Sequence, residues 1–279
     1  MTCSLHNGKF FFTLLLISNQ LAQGAIFGDG DLGNGIEDER TSAPSHLLNG
    51  VGTIFCDGGL RGTGTHIDMG TAADNKQQAV IVTAAHVLFD ANTGEPFIDC
   101  SYRPENNRLK SVPFAQISSH SYQPLISDKL RQSETDIVFV ALQHRLYQKG
   151  LRLTPVATDT GLLLLGYNGD TERIDISTDC QIYNSNNFKS ERLLLHNCDA
   201  DSGSSGGPLL KKIGPDQKYG NSQNQVVAIH GGTLSSIGHA APGAVVQPER
   251  WINQARKIDS AMLQRLQEFL AYLSRDSVD

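Results

Sequence analysis

The 279-residue sequence lacks several features that would mark a function at once. It has no excess of positive charge: 23 lysines and arginines face 29 aspartates and glutamates, for a net charge of −6. Nucleic-acid surfaces are built from clustered basic side chains, so no nucleic-acid partner is expected. It has no apolar run long enough to span a bilayer; Phe10-Phe11-Phe12-Thr13-Leu14-Leu15-Leu16-Ile17 is too short. It has no Cys-x-x-Cys pair and no zinc-like Cys/His spacing, so neither a metal nor another cofactor is expected. No helical pattern alternates with its strand-like runs, which argues against a parallel α/β sheet. No repeat of solenoid period is present.

What remains is a globular composition, 39% hydrophobic and 19% charged, large enough for one big domain or two small lobes. Lys9 precedes the apolar run and the small residues Ala22-Gln23-Gly24 follow it. This is the layout of a secretory signal peptide over residues 1–24, cut after Gly24, and it implies a secreted or periplasmic protein. The alternative is a buried strand or helix of the fold. Cleavage would remove Cys3 and leave Cys56, Cys100, Cys180 and Cys198. An even number in an exported chain suggests disulfides, with three pairings open. Cys56–Cys100 and Cys180–Cys198 are preferred because each stays within one half of the chain; free thiols are the alternative.

Residues 25–47 are rich in Gly, Asp and Glu. A calcium loop fails there because Gly33 occupies the third ligand place, so a solvated arm or pro-segment is expected. From residue 48 the chain breaks into short apolar runs bounded by turn residues. Val80-Ile81-Val82-Thr83, Ile137-Val138-Phe139-Val140 and Val226-Val227-Ala228-Ile229 are examples. Such runs predict an all-β sandwich or barrel. After Pro248, steps of three and four through Trp251, Ile252, Ala255, Ile258, Met262, Leu266 and Phe269 predict one amphipathic helix over 248–275.

The sharpest local pattern is Gly203-Ser204-Ser205-Gly206-Gly207-Pro208. Glycines let the chain turn tightly beside a substrate, and N–H groups in such a turn can converge on a developing oxyanion. Ser205 becomes a nucleophile only if a base takes its proton. The plain alternative is a flexible Gly/Ser loop. His86, closing an apolar strand, is the candidate base, and Asp136, opening another, is the acid that would orient it. Taken singly, these two read by default as a core histidine and a solvated turn aspartate.

Together, Thr83-Ala84-Ala85-His86, Thr135-Asp136-Ile137-Val138 and Gly203–Pro208 resemble the blocks of the trypsin-like serine peptidases, in that family's order of His, Asp, Ser. The gaps of 50 and 69 residues leave room for intervening strands. The resemblance runs through Ala241-Pro242-Gly243-Ala244-Val245 and covers about residues 48–260. It implies two packed antiparallel β-barrels, 48–150 and 151–247, ahead of the C-terminal helix. It also implies hydrolysis of polypeptide substrates by a triad of His86, Asp136 and Ser205, with no cofactor. The N–H groups of Gly203 and Ser205 would form the oxyanion hole, and Asp199, His230, Gly231 and Gly243 would bind substrate. The bacterial glutamyl-endopeptidase branch is the most similar. Cys198-Asp199 before the serine, Ile229-His230-Gly231-Gly232 after it and the acidic Glu37–Arg40 segment suggest it.

Trypsin carries an Asp just before its nucleophile, to pair with a new N-terminal amine; Ser204 stands here, so activation through that ion pair is not expected. Asp199 lies six residues before Ser205, where trypsin carries the Asp that binds Arg or Lys. His230 falls where glutamyl endopeptidases carry a His that reads Glu. Specificity stays open, leaning to a basic or unassigned residue over an acidic one, and Asp199 as a mere brace of its loop is an equal alternative. Two rivals come from other classes. Gly203-Ser204-Ser205-Gly206-Gly207 also fits the elbow of an α/β-hydrolase esterase, but that order would need Asp216 and His230 to follow as acid and base. A trypsin-type fold can also serve as a catalytically silent binding module. A monomer is the default.

Overall fold

In the computed structural model, residues 24–28, 38–69, 78–107, 110–155, 161–211, 225–237 and 243–276 are described. The expected signal segment before Gly24, the calcium-loop test at Gly33 and Asp216 of the esterase alternative lie outside them.

The first half closes a six-stranded antiparallel barrel. Its strands are β1 (Val51–Cys56), β2 (Gly59–His66), β3 (Val80–Thr83), β4 (Ser101–Pro104), β5 (Val112–Ile117) and, after the short helix α1 (Lys129–Glu134), β6 (Val138–Leu142). They run around the barrel in the order β1-β2-β3-β6-β5-β4. β3 and β6 read as unbroken apolar runs because both their faces are covered. Val80 and Val82 join Ile137, Phe139 and Ala141 in the large core between the halves. Their neighbours Ile81, Val138, Val140 and Leu142 fill the barrel's own core. The period-2 alternation of a strand therefore sorts residues between two cores rather than between core and water.

The second half builds a nine-stranded sheet. Its longer strands are β7 (Leu162–Asn168), β8 (Arg173–Cys180), β9 (Leu193–His196), β10 (Pro208–Lys211), β11 (Gln225–Ser235) and β12 (Trp251–Lys257). The central order is β9-β12-β11-β10-β7-β8. This mostly β architecture with one C-terminal helix is the expected fold class.

Two expectations are corrected. The helix starts at Ser260, as α2 (Ser260–Asp276), not at residue 248; residues 251–257 are strand β12. β12 lies between β9 and β11, and Trp251 to Arg256 are all buried. A run covered on both faces carries apolar residues at every phase, so its spacing imitates a helix. The true helix begins where Asp259 accepts the Met262 N–H at 2.8 Å, and its face of Met262, Leu266 and Phe269 packs on the central core. Nor is the N-terminal arm solvated throughout: Asp38, Glu39, Thr41 and Ser42 are exposed, but Ala25, Phe27 and Arg40 are buried. Phe27–Gly28 pairs in parallel with Ala244–Val245, and Thr41–Ser42 pairs with β8.

Disulfides join Cys56 to Cys100 and Cys180 to Cys198, one in each half. They enclose 44 and 18 residues. Chain entropy then assigns about 4 and about 3 kcal/mol. Replacing Cys56 and Cys100 together by Ala is expected to lower unfolding free energy by more than replacing Cys180 and Cys198, as denaturant titration would read.

Candidate active site

β3 and β6 are antiparallel neighbours with Thr83 opposite Val138. His86 sits on the 3-10 turn Ala85–Leu88 just past β3, and Asp136 lies just before β6, so the register puts them side by side. Asp136 is buried and accepts twice from His86: from its backbone N–H at 2.8 Å and at Nδ1, 2.6 Å from the second carboxylate oxygen. A carboxylate can only accept, so the ring proton stands on Nδ1 and Nε2 is left with its lone pair. That nitrogen is buried without a partner among the described residues, and so is the Oγ of Ser205.

The serine turn belongs to the second half, yet the first barrel holds it. Thr63 of β2 donates its hydroxyl to the Gly203 carbonyl at 2.7 Å, and its N–H to the Ser205 carbonyl at 2.8 Å. The same hydroxyl accepts the Tyr167 N–H at 2.9 Å. Thr65 donates to the Gly206 carbonyl at 3.0 Å, and Thr83 fixes the Thr63 carbonyl at 2.8 Å. All three threonines are fully buried. A Cβ on Gly62 would meet both Val87, beside His86, and the Ser205 carbonyl, so the histidine turn and the serine turn meet at this glycine. Gly206 has φ of +89°, and a Cβ there would collide with the Thr63 carbonyl. Within the turn, bonds among described residues use the N–H groups of Ser204, Gly206 and Gly207. Those of Gly203 and Ser205, the expected oxyanion pair, are not among these bonds. The sequence reading missed these threonines. Their signal was the i, i+2 spacing in Gly62-Thr63-Gly64-Thr65, which puts both hydroxyls on one face of a strand.

Asp199 is not a free carboxylate. It accepts the Phe27 N–H at 2.7 Å and the Glu39 N–H at 2.9 Å, one on each oxygen. Ala25 is held by both ends of the Asn253 side chain and by the Ala200 N–H. Ile26 accepts from Gly243, and Phe27 packs its ring on Trp251. The segment thus ties the approach to the serine turn to the strand after Gly243. Burial pushes the Asp199 carboxyl up to about 6, against the two N–H donors.

His230 is buried and its Nδ1 lies 3.3 Å from Nε2 of the equally buried His196. The Cys198 N–H donates to His196 Nδ1 at 3.2 Å. Burial lowers His196 to about 3 and His230 well below its ordinary range, so both rings are neutral. The Cys198 amide makes Nδ1 of His196 an acceptor, so His196 carries its proton on Nε2; the Gln254 backbone is also bonded to both rings, and His230 meets its described neighbours through Nδ1, leaving Nε2 over. That nitrogen, like Gln254 Oε1, is buried without a partner among the described residues. Gly231 packs on the Gln254 side chain.

Residues 62–214 match the family model of the trypsin-like peptidase domain. The chain belongs to this family. Among solved structures it is similar to a Glu endopeptidase in complex with MPD. That match has 17% identity and a TM-score of 0.58, covering 88% of this chain and 100% of the other. It is also similar to a thermostable serine protease from an extremophilic microorganism, at 14% identity and TM-score 0.55, covering 79% and 96%. Neuropsin, a serine protease expressed in the limbic system of mouse brain, matches at 16% identity and TM-score 0.55, covering 82% and 99%. A comparison with curated protein sequences returns no match.

Thr63→Val is expected to take from the buried Gly203 carbonyl the hydroxyl that it accepts, at about 1–3 kcal/mol. Thr63→Ser should keep most of the stability, and denaturant unfolding of the pair checks this. A second expectation concerns Asp199. The folded carboxyl protonates at about 6 and the ordinary value is 3.8, so between these the folded state holds the extra proton. This contribution to stability is greatest below the lower value and is lost as pH rises toward 6. Asp199→Asn should flatten that decline, seen as the change in unfolding midpoint between about pH 4 and about pH 6.5.

Proposed function

We propose that this trypsin-like peptidase is an exported serine endopeptidase with His86, Asp136 and Ser205 as its catalytic triad. The observation that carries the reading is the pair of hydrogen bonds between Asp136 and His86, with His86 Nε2 and Ser205 Oγ left over as buried atoms unpartnered among the described residues. Neutral His86 takes the Ser205 proton as Oγ attacks the scissile carbonyl. Asp136 keeps the ring in its tautomer and stabilises the imidazolium. The two atoms close to bonding distance when substrate fills the site. The N–H groups of Gly203 and Ser205 stabilise the tetrahedral oxyanion. The leaving amine takes the proton back from His86, and water releases the acyl-enzyme by the same steps. Two disulfides fit an oxidising compartment, in keeping with export.

For specificity we favour the glutamyl-endopeptidase branch, with an acidic residue on the acyl side of the cut. Each Asp199 oxygen already accepts a backbone N–H of the N-terminal segment, so the buried carboxyl serves as a brace and has only part of its acceptor capacity left for a basic side chain. His230 instead leaves Nε2 buried and unpartnered among the described residues, a ring nitrogen that would supply an N–H to a substrate carboxylate. Digesting a protein mixture with residues 25–279 beside the Ser205→Ala variant, and reading new termini by mass spectrometry, tests both points. Cuts made only by the wild type and mostly after Glu, lost in His230→Ala, are expected. Cuts after Arg or Lys would overturn the specificity, and equal cutting by Ser205→Ala would overturn the triad.

A further inference from the structure

The guanidinium of Arg256 is nearly fully buried at the end of β12, far along the chain from the triad. Every group it touches is a carbonyl or a carboxylate. Nε donates to the Glu134 carbonyl at 2.8 Å. Nη1 donates to the Lys257 carbonyl at 2.7 Å and the Arg192 carbonyl at 3.3 Å. Nη2 pairs with Asp259 at 2.7 Å. The first contact is the telling one, because Glu134 ends α1 two residues before Asp136. The carbonyls of a helix's last turn have no partner within the helix, and here a buried cation from the other half of the protein satisfies one of them.

The same C-terminal unit grips the acid's strand on its other side. Ile137 and Phe139, directly after Asp136, lie in one core with Ile258, Met262, Leu266 and Phe269. The Glu134 side chain is held too, by the Ser190 hydroxyl at 2.6 Å. Between these fixed points Asp136 makes only one local backbone bond through its N–H, a 3.2 Å contact to Ser133. Its carboxylate must nevertheless meet two donors of His86 at once.

We infer that Arg256 is a positioning residue: through the Glu134 carbonyl it sets the backbone from which Asp136 reaches His86. The inference rests on the triad reading given above. An arginine is suited to the task because its planar fork serves several acceptors in a fixed geometry, which a lysine ammonium cannot reproduce. Loss of the brace lets Asp136 drift by a fraction of an ångström, and misplacement on that scale acts on turnover rather than on substrate binding.

The test compares Arg256→Met, Arg256→Lys and Leu194→Ala with the wild type. Leu194→Ala opens the second half's own core, which holds no residue of α1 or of the strand after Asp136, and so reports a merely structural effect. Turnover is read on a peptide from the digest, and the His86–Asp136 bond by its low-field proton resonance. Arg256→Met is expected to lose roughly tenfold in kcat with KM within about twofold, and to lose or shift the low-field proton. Arg256→Lys should recover part of the kcat, while Leu194→Ala lowers the melting temperature and leaves kcat and the proton in place. Unchanged kcat and proton in Arg256→Met overturn the inference, as does an equal loss of both in Leu194→Ala. If Arg256→Met does not fold, wild-type kcat in Arg256→Lys overturns it. If the wild type hydrolyses nothing, the triad reading fails by itself; the proton resonance then decides the brace, supported by a shift in Arg256→Met alone and overturned by none.

Discussion

One buried hydroxyl joins the two halves of the site. His86 and Asp136 stand on the first barrel, while Ser205 stands on a turn of the second sheet. Thr63 bridges them by donating to the Gly203 carbonyl and accepting from Tyr167, while its own N–H holds the Ser205 carbonyl. None of these groups meets water, so each must be paired inside the protein or costs the fold its desolvation. The register of the two halves is therefore fixed by hydrogen bonds as well as by the apolar core between them. The serine turn has little freedom of its own, with Gly203 and Gly206 both in the left-handed region. What gives it one shape is the strand laid against it.

Much of this was legible in the chain. The runs around Val80 and Val138 declared strands, and their flanks put His86 and Asp136 at the ends that the register brings together. The cysteine pairings followed from keeping each pair within one half. What stayed hidden depends on partners distant in sequence. β12 looked helical because a central strand shows no polar face, and only its neighbours β9 and β11 reveal why Asn253 and Arg256 are buried. Asp199 read equally as a reader of substrate charge or a brace of its loop, and the N–H groups it accepts, from Phe27 and Glu39, lie more than a hundred residues upstream. His196 carried no local motif at all; its meaning comes from the ring of His230 and the amide of Cys198.

The electrostatics of the site are those of neutral, oriented groups. His196 and His230 are kept uncharged by burial, and backbone groups of Cys198 and Gln254 orient their rings. Asp136 is the exception, a buried carboxylate matched by two donors from one residue. His86 Nε2 and Ser205 Oγ are left without partners among the described residues, while the threonines around them are spent on holding shape.

β12 also has a consequence for survival. A peptidase lives among copies of itself, and the usual first casualties of self-digestion are frayed segments near the chain ends. Here Ala25 is gripped by Asn253, and α2 is launched by Asp259, within a few residues of each other on or beside the same buried strand. Neither segment can work loose without disturbing a strand paired on both sides. An autolytic cut there has to wait for an opening of the central sheet, which makes the lifetime of the folded protein a matter of its slowest motion rather than its fastest.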